Sequence, residues 1–418
     1  MIPIYCGLNV RVLAMKKSAF FDFLNRRENL DFDDFLASSQ EDDDYINWNE
    51  FLLPQQYGLE SEEEYQAIRT SCALFDVSPI RKIQITGYEA GQFLDYVLTR
   101  PVSTAPSMRG IYVAFCNNDG SLKDDAILYK YSDDDYLLMP SDINHSDYFE
   151  LIRQKLEISS ADLHIRECTD DWCGMAIQGP LSAAVLSSMG FPVIEELAPF
   201  GVLDYPFADG TIRIARMGFT ADLGYECWLP PEMIEPFKQS IEKARQHMGI
   251  AIPGYGLRAL EACRFEGGFV VAGWDFATEL DPDPDFQRSP FEVGLGWLVK
   301  LDGNDFVGRD ALVQQQKIGQ TYVLRSMRTQ SQVKPVDGAA VFAMVDGHNE
   351  KQVGSINSSA WSWGLQLTIG NVSLEAEFAN LETVWFKQNG SLFTVDLTQG
   401  PMIHLPRRNI VPAPLLLK

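Results

Sequence analysis

Apolar positions along this chain change period in a repeated order. Residues 81–86 alternate apolar with polar and stop at Gly87, the signature of a half-buried strand. Residues 89–98 set Phe93, Leu94, Val97 and Leu98 on one helical face. Strands are predicted at 111–115, 126–131 and 136–139. The first two are joined by Asn117, Asn118, Asp119 and Gly120, residues that tolerate the positive φ of a tight reversal. A helix over 145–156 closes the unit. The pattern then recurs: a strand at 172–177 ending at Gly179, a helix over 181–189 behind Pro180, a hairpin of 201–205 and 211–216, a strand at 225–229 and a helix over 231–245. One α+β unit is therefore duplicated within a domain.

The flanking segments are of other kinds. Residues 17–47 are rich in Asp and charge and read as a surface helix and loop. The acidic run lacks the spacing and glycine of a calcium loop. Residues 61–72 predict a helix, and 256–268 (GLRALEACRFEGG) predict another that ends in paired glycines. Residues 291–301 (FEVGLGWLVKL) suit a strand passing close to a ligand or another backbone. A short helix is expected at 306–316. From Thr321 the pattern becomes short strands separated by Gly and Asn turns, at 322–327, 339–344, 352–357, 365–372, 383–386 and 392–396, which specifies a small β-barrel or sandwich. The domain boundaries follow: an N-terminal extension at 1–44, the duplicated unit at 45–315 and the β module at 316–418.

Composition narrows the function. Asp and Glu number 58 against 34 Lys and Arg, a formal net charge of −24. Nucleic acid and anionic membrane both need a basic face, so neither is an expected partner. No apolar run approaches a membrane span. The 7 cysteines are scattered and odd in number, as expected of reduced thiols in a cytoplasmic protein. The 5 histidines are isolated, and no phosphate loop is present, so no metal site, triad or nucleotide site is expected. Nothing in the pattern specifies an oligomeric state.

Two carboxylates stand out by position. Asp125, behind Asp124, follows the hairpin turn of the first unit, and Glu226 follows the second inner turn of the second unit. Adjacent carboxylates are ordinarily solvated strand-edge charges. Two related units facing one another would instead bring Asp125 and Glu226 to one central cavity.

Several segments then act together: residues 74–78 (LFDVS), 117–125, 176–180 (AIQGP), 218–226 (GFTADLGYE), 264–267 (RFEG), 290–297 (PFEVGLGW) and 305–312 (DFVGRDAL). In this order the chain resembles the folate-dependent aminomethyltransferase family, over roughly residues 45 to 400. That family includes the glycine-cleavage T-protein, the folate domains of dimethylglycine and sarcosine dehydrogenases, and bacterial tetrahydrofolate-dependent demethylases. The wording of residues 49–54 (NEFLLP) and 290–295 is similar to the demethylases. The resemblance implies an α+β fold of duplicated α/β folate-binding units around a central channel, with a C-terminal β-barrel domain. It implies tetrahydrofolate as cofactor, and Glu226, Asp125, Tyr225 and Arg264 as cofactor-binding residues. A pterin presents an N–H beside an amino group, a fork that one carboxylate accepts with two hydrogen bonds, and the match assigns this to Glu226. Asp125 is implied near the reacting nitrogens, as catalytic proton shuttle or orienting group.

The chain also departs from the T-protein. Leu260 stands where T-proteins carry a folate-contacting arginine, and residues 407–418 have no counterpart of their C-terminal tyrosine. A chain at −24 is poorly suited to docking an acidic lipoyl carrier. The expected activity is transfer of a methyl group from a small S-, N- or O-methylated compound to tetrahydrofolate, giving 5-methyltetrahydrofolate. A sulfonium or quaternary ammonium leaves as a neutral molecule, and Trp48, Trp172, Tyr225 and Trp228 are candidates for a cation–π wall. The alternatives are a glycine-cleavage aminomethyltransferase and a non-catalytic folate-binding factor of iron–sulfur assembly.

Overall fold

The computed structural model of the chain describes residues 15–25, 45–345 and 349–415. Cys6, His348 and the acidic run within 26–44 lie outside the described residues. In chain order the first elements are α1 (Phe21–Leu24), β1 (Tyr45–Trp48), β2 (Phe51–Pro54), α2 (Ser61–Thr70) and β3 (Ala73–Asp76). The first unit follows as β4 (Ile83–Thr86), α3 (Ala90–Val97), β5 (Arg109–Cys116), β6 (Leu122–Lys130), β7 (Asp135–Met139) and α4 (Ser146–Lys155). After β8 (His164–Glu167) the second unit repeats it: β9 (Cys173–Gln178), α5 (Ser182–Ser188), β10 (Val202–Phe207), β11 (Gly210–Ala215), β12 (Gly224–Leu229) and α6 (Ile234–Met248). Two helices then lead on, α7 (Leu257–Gly267) and α8 (Arg309–Ile318).

The duplication read from the pattern takes a specific topological form. The first sheet has the order β5-β6-β7-β4-β8, and the second has β10-β11-β12-β9-β3. The strand that precedes each unit therefore completes the sheet of the other. β3 pairs with β9, and β8 pairs with β4, both antiparallel. Periodicity found neither exchanged strand, because β3 is buried at every position and β8 is half exposed at every second one. Equivalent glycines make the exchange possible. Gly87 has φ +121°, and a Cβ there would lie 2.2 Å from the Asp162 carbonyl oxygen, just ahead of β8. Gly179 has φ +118°, with a Cβ position 2.6 Å from the Ser71 carbonyl oxygen, just ahead of β3.

Each sheet has an outer and an inner face. The outer face of the first sheet (Ile83, Ile85, Val113, Phe115, Leu128, Leu138) packs on Phe93, Leu94 and Val97 of α3 and Phe149 of α4. The outer face of the second sheet packs on α5 and α6 through Val185, Leu186, Phe237 and Ile241. The two inner faces share one cluster, with Tyr129, Leu137 and Met139 from one side, Phe75, Ala176, Ala215 and Trp228 from the other, and Leu257, Leu260 and Cys263 of α7. The N-terminal stretch is not the surface helix expected of it. Phe20 and Leu24 are buried in the core outside the second sheet.

The C-terminal strands are β13 (Tyr322–Thr329), β14 (Ala340–Val345), β15 (Asn349–Ser362), β16 (Leu367–Glu375), β17 (Thr383–Gln388) and β18 (Ser391–Thr398). They form a closed barrel in the order β13-β16-β15-β14-β17-β18. Residues 291–301 are not the expected strand: they fold as successive turns, with Gly294 at φ +79° and Leu295 N–H donating to the Pro290 carbonyl at 2.7 Å. The glycine at 296 answers a close approach of a different kind, since a Cβ there would meet the Phe291 ring at 2.7 Å. Among the described residues no helix is long and apolar enough to cross a membrane.

The strand exchange generates a stability prediction. Gly87→Ala and Gly179→Ala should each destabilise the protein by at least ~1–3 kcal/mol, because backbone strain and a carbonyl clash act together. Gly190→Ala, at φ +98° but with nothing within 4 Å, carries the backbone term alone. Urea unfolding should rank both exchange glycines as the more damaging sites, and equal losses at all three would refute the close-approach argument.

Candidate active site

β6 alternates, so Asp125, Ile127 and Tyr129 project from one face and Asp124, Ala126 and Leu128 from the other. Asp124 is completely buried, while Asp125 is half-buried on the inner side. Tyr112 of β5 donates its hydroxyl to Asp125 Oδ2 at 2.6 Å. Burial, then the Asp124 charge, pushes the Asp125 carboxyl up from the usual carboxylate range to about 7, against the lowering effect of the Tyr112 bond. Asp275 adds to the rise. The acids therefore lie inside the strand, not at its exposed entry.

Glu226 lies on the inner face of β12, opposite Ala176 of β9 and Ala215 of β11. Two small neighbours leave its carboxylate half-buried in an otherwise filled layer. Oε2 accepts the Tyr129 hydroxyl at 3.1 Å. Burial raises the Glu226 carboxyl to about 7, and the Tyr129 bond and the Lys82 charge pull the other way. Lys82, wholly buried, lies 5.0 Å from the Trp228 ring and donates to the carbonyls of Ser78 and Ile80. The buried Trp228 indole stands beside the Tyr129 hydroxyl, where it counters part of the rise that burial imposes on that phenol. Tyr129 thus bonds to Glu226 from the same face of the same strand that carries Asp125, ~13 Å along it. The two predicted carboxylates therefore project from the two sheet faces that meet in the layer around Tyr129.

The glycines of residues 218–226 have a packing cause. A Cβ at Gly218 or Gly224 would fall 2.0 or 2.1 Å from the Gln178 side-chain oxygen. That side chain passes between them, donates to the carbonyls of Met217 and Tyr225, and accepts Thr220 Oγ1 at 2.9 Å. The AIQGP and GFTADLGYE segments are therefore one interlocked turn that delivers Glu226.

The other two predicted cofactor-binding residues lie elsewhere. Tyr225 faces the core outside the second sheet, fully buried, with its hydroxyl 3.4 Å from the Ile194 carbonyl. Period-two alternation puts it on the face opposite Glu226, so neither pterin contact nor the proposed cation–π wall includes it. Arg264 is fully buried and committed: Nε donates to Glu261 at 2.7 Å, and the guanidinium also reaches the Phe269 carbonyl, Asp275 and Ser358 Oγ. It ties α7 to the barrel instead of offering a donor to the chamber. Leu260 is buried in the inner layer. Trp48, Trp172 and Trp228 do line that layer, with Trp48 donating to Asp142 at 2.8 Å and standing 6.2 Å from Phe75.

Sequence reasoning missed Tyr112, Tyr129 and Asp275. The alternation that placed Asp125 inward was itself the signal for Tyr129. Tyr112 and Asp275 are brought in only by pairing and by the barrel, whose Asn357 and Asn371 donate to Asp275 at 3.2 and 2.9 Å. Among the described residues no group of His, Cys, Asp and Glu is arranged to hold a metal, and the six described cysteines are free.

Residues 39–303 match the family described as the GCVT N-terminal domain. An aminomethyltransferase of Lysinibacillus sphaericus is 29% identical over 352 residues, covering 84% of this chain and 90% of that protein. A trimethylamine-oxide aldolase of Ruegeria pomeroyi is 31% identical over 287 residues, 66% of this chain and 35% of that protein. Among solved structures, the glycine cleavage system aminomethyltransferase T from Bartonella henselae matches with a TM-score of 0.75 at 20% identity, covering 93% of this chain and 98% of that one. At that identity the likeness is one of fold.

The raised carboxyls carry a pH prediction. Both hold their proton in the folded protein at pH values where the unfolded chain has released it. Their contribution to stability is therefore complete below about pH 4 and is lost as pH rises through about 7. Thermal unfolding of the ligand-free protein should become easier across that window on their account. Asp125→Asn and Glu226→Gln should each flatten the slope; an unaltered slope in both variants would contradict the burial of these groups.

Proposed function

The chain belongs to the GCVT N-terminal domain family, the folate-dependent aminomethyltransferases that its motifs resemble, and we propose that it moves a methyl group from a small S-, N- or O-methylated compound to tetrahydrofolate, giving 5-methyltetrahydrofolate. The observation that carries this reading is the state of Glu226. It is a half-buried carboxylate between two alanines, with one hydrogen bond among the described residues. Three of its four acceptor sites remain open to a ligand. These sites fit a pterin, whose adjacent N–H and amino group match a single carboxylate.

When bound, tetrahydrofolate supplies a nucleophilic ring nitrogen for the one-carbon group. The chain supplies position, dryness and proton control. Glu226 anchors by charge-assisted hydrogen bonds, and because its carboxyl titrates near 7, anchoring in the ionised form releases a proton. Asp125, also titrating near 7, is able to take or give a proton at neutral pH, which suits a general acid–base. Tyr112 holds one carboxyl oxygen of Asp125, leaving the other to handle the proton. The apolar inner layer limits water around Glu226.

The aminomethyltransferase relatives support a glycine-cleavage reading equally at the level of family. Leu260, buried in the inner layer where T-proteins carry arginine, separates the chain from T-proteins, though the sarcosine and dimethylglycine branch lacks that arginine as well. The aldolase relative carries the domain in a protein named for a methylated amine oxide.

Two variants and a donor screen test the proposal. Glu226→Gln should weaken tetrahydrofolate binding by about 1.5–3 kcal/mol by calorimetry, with loss of the linked proton release; undiminished affinity would remove Glu226 from the anchor role. Methylated sulfonium, ammonium and aryl-ether compounds should be screened for formation of 5-methyltetrahydrofolate. Asp125→Asn should cut turnover ~10²–10⁴-fold where the leaving group must gain a proton, and less for a sulfonium. Silence with every donor, together with activity in a glycine-cleavage assay, would replace the methyl reading by the alternative.

A further inference from the structure

The two adjacent acids of β6 are supported differently. Asp124 points away from the chamber and is completely buried, where an unpaired carboxylate is costly. Its Oδ2 accepts the Ser141 hydroxyl at 2.6 Å and the Ser141 backbone N–H at 3.3 Å, and lies 2.9 Å from His145 Nε2. Its Oδ1 accepts the backbone N–H of Asp125 at 2.8 Å. His145 is itself completely buried, edge-on to Phe115 at 4.9 Å. Among the described residues its Nδ1 has no hydrogen-bond partner, and Glu279 Oε1 stands 3.9 Å away. With a carboxylate facing Nε2, that nitrogen carries the proton and donates.

From this geometry we infer that His145 is a positioning residue for Asp125: it clamps Asp124, whose carboxylate in turn fixes the Asp125 amide and stands as a like charge beside the Asp125 carboxyl. The inference rests on Asp125 being the group that handles the proton in the proposed reaction. No family motif that the sequence displays includes His145, and its isolation along the chain concealed it. The arrangement is asymmetric in a useful way. One acid of the pair is saturated with donors and removed from the ligand, so the other is left as the group that changes protonation.

The charged surroundings are few. Asp125 faces Asp124, Asp275 and the Tyr112 hydroxyl. Asp124 faces His145 and, more distantly, Asp142, whose carboxylate takes the Trp48 indole. His145 faces Asp124 and Glu279, and Glu279 is paired with Lys123 at 2.6 Å. Loss of His145 frees Asp124 Oδ2 from one of its fixed partners. A displaced Asp124 carboxylate raises the Asp125 carboxyl less, so the Asp125 proton should then leave at lower pH.

The experiment follows the Asp125 carboxyl directly, without substrate. Protein labelled with ¹³C at aspartate carboxyl carbons is titrated by NMR, and Asp125→Asn identifies the resonance. The unmodified protein should titrate near pH 7. His145→Leu should lower that midpoint by about one pH unit, tenfold in proton affinity, and Asp124→Asn should lower it as well. His145→Gln, which keeps an N–H donor of similar reach, should stay with the unmodified protein. If His145→Leu does not fold, His145→Asn, too short to reach Asp124, takes its place with the same expectation. An unchanged or raised midpoint in the folded His145 variant or in Asp124→Asn overturns the inference, and so does a fall in His145→Gln equal to that in His145→Leu. Because the titration needs no methyl donor, it is decided separately from the methyl-transfer reading, which stands or falls on product formation.

Discussion

Each of the two sheets takes an edge strand from outside its own unit, and the rest of the molecule depends on that exchange. β3 lies ahead of the first unit but completes the second sheet, and β8 lies ahead of the second unit but completes the first. The units therefore cannot separate without each losing a strand and baring a row of unpaired backbone groups. With the outer faces covered by α3 and α4 on one side and α5 and α6 on the other, the inner faces pack against each other, α7, and side chains of α2, β1 and β2. A carboxylate on either inner face is thereby committed to a shared, largely dry space, and its ordinary titration range is displaced.

Pairing registers show how a duplicated frame became a chamber with two different ends. Counting back from Gly87 and Gly179, Gln84 is equivalent to Ala176, and their partners across the ladder are Leu137 and Glu226. One strand further, Tyr129 opposite Leu137 is equivalent to Ala215 opposite Glu226. The first sheet thus presents an apolar residue backed by a large ring where the second presents a carboxylate flanked by two methyl groups. The large ring is not redundant, since its hydroxyl crosses the layer to Glu226. Equivalent backbone positions thus carry different chemistry, an acid in the second sheet and a leucine in the first.

The barrel is more than an appended module. Its strand β15 carries a register irregularity between Ile356 and Ser358, and the residue set out of register, Asn357, turns its amide onto Asp275. A bulge beside a functional region commonly re-aims one side chain in this way. Asp275 lies close enough to add to the rise of the Asp125 carboxyl, and the same aspartate receives Arg264 of α7 at 3.4 Å. Nearby, Glu266 accepts Arg69, Tyr65 and Ser362, and Arg407 binds Asp222 through two hydrogen bonds. Arg264, Glu266 and Asp275 are thus buried charges held by partners from several parts of the chain, a form of packing that specifies one arrangement of barrel against sheets.

Local order alone was enough to determine much of this protein. The doubled succession of strand, glycine, helix, hairpin, strand and helix and the change to short strands after Thr321 follow from period and turn chemistry, while Asp125 and Glu226 stand out by their place after the turns and by the family resemblance. Alternation also excludes Tyr225 from the face of Glu226, although the shared motif suggested otherwise. Only the tertiary structure decided which strand completes which sheet, that residues 291–301 turn instead of extending, that Arg264 serves the barrel, and that His145 stands behind Asp124. The reason is physical. Periodicity reports which face of an element avoids water, but not what covers that face. A buried charge is stable only through partners that satisfy it, and for Arg264 and Asp124 those partners come from segments that local pattern does not connect.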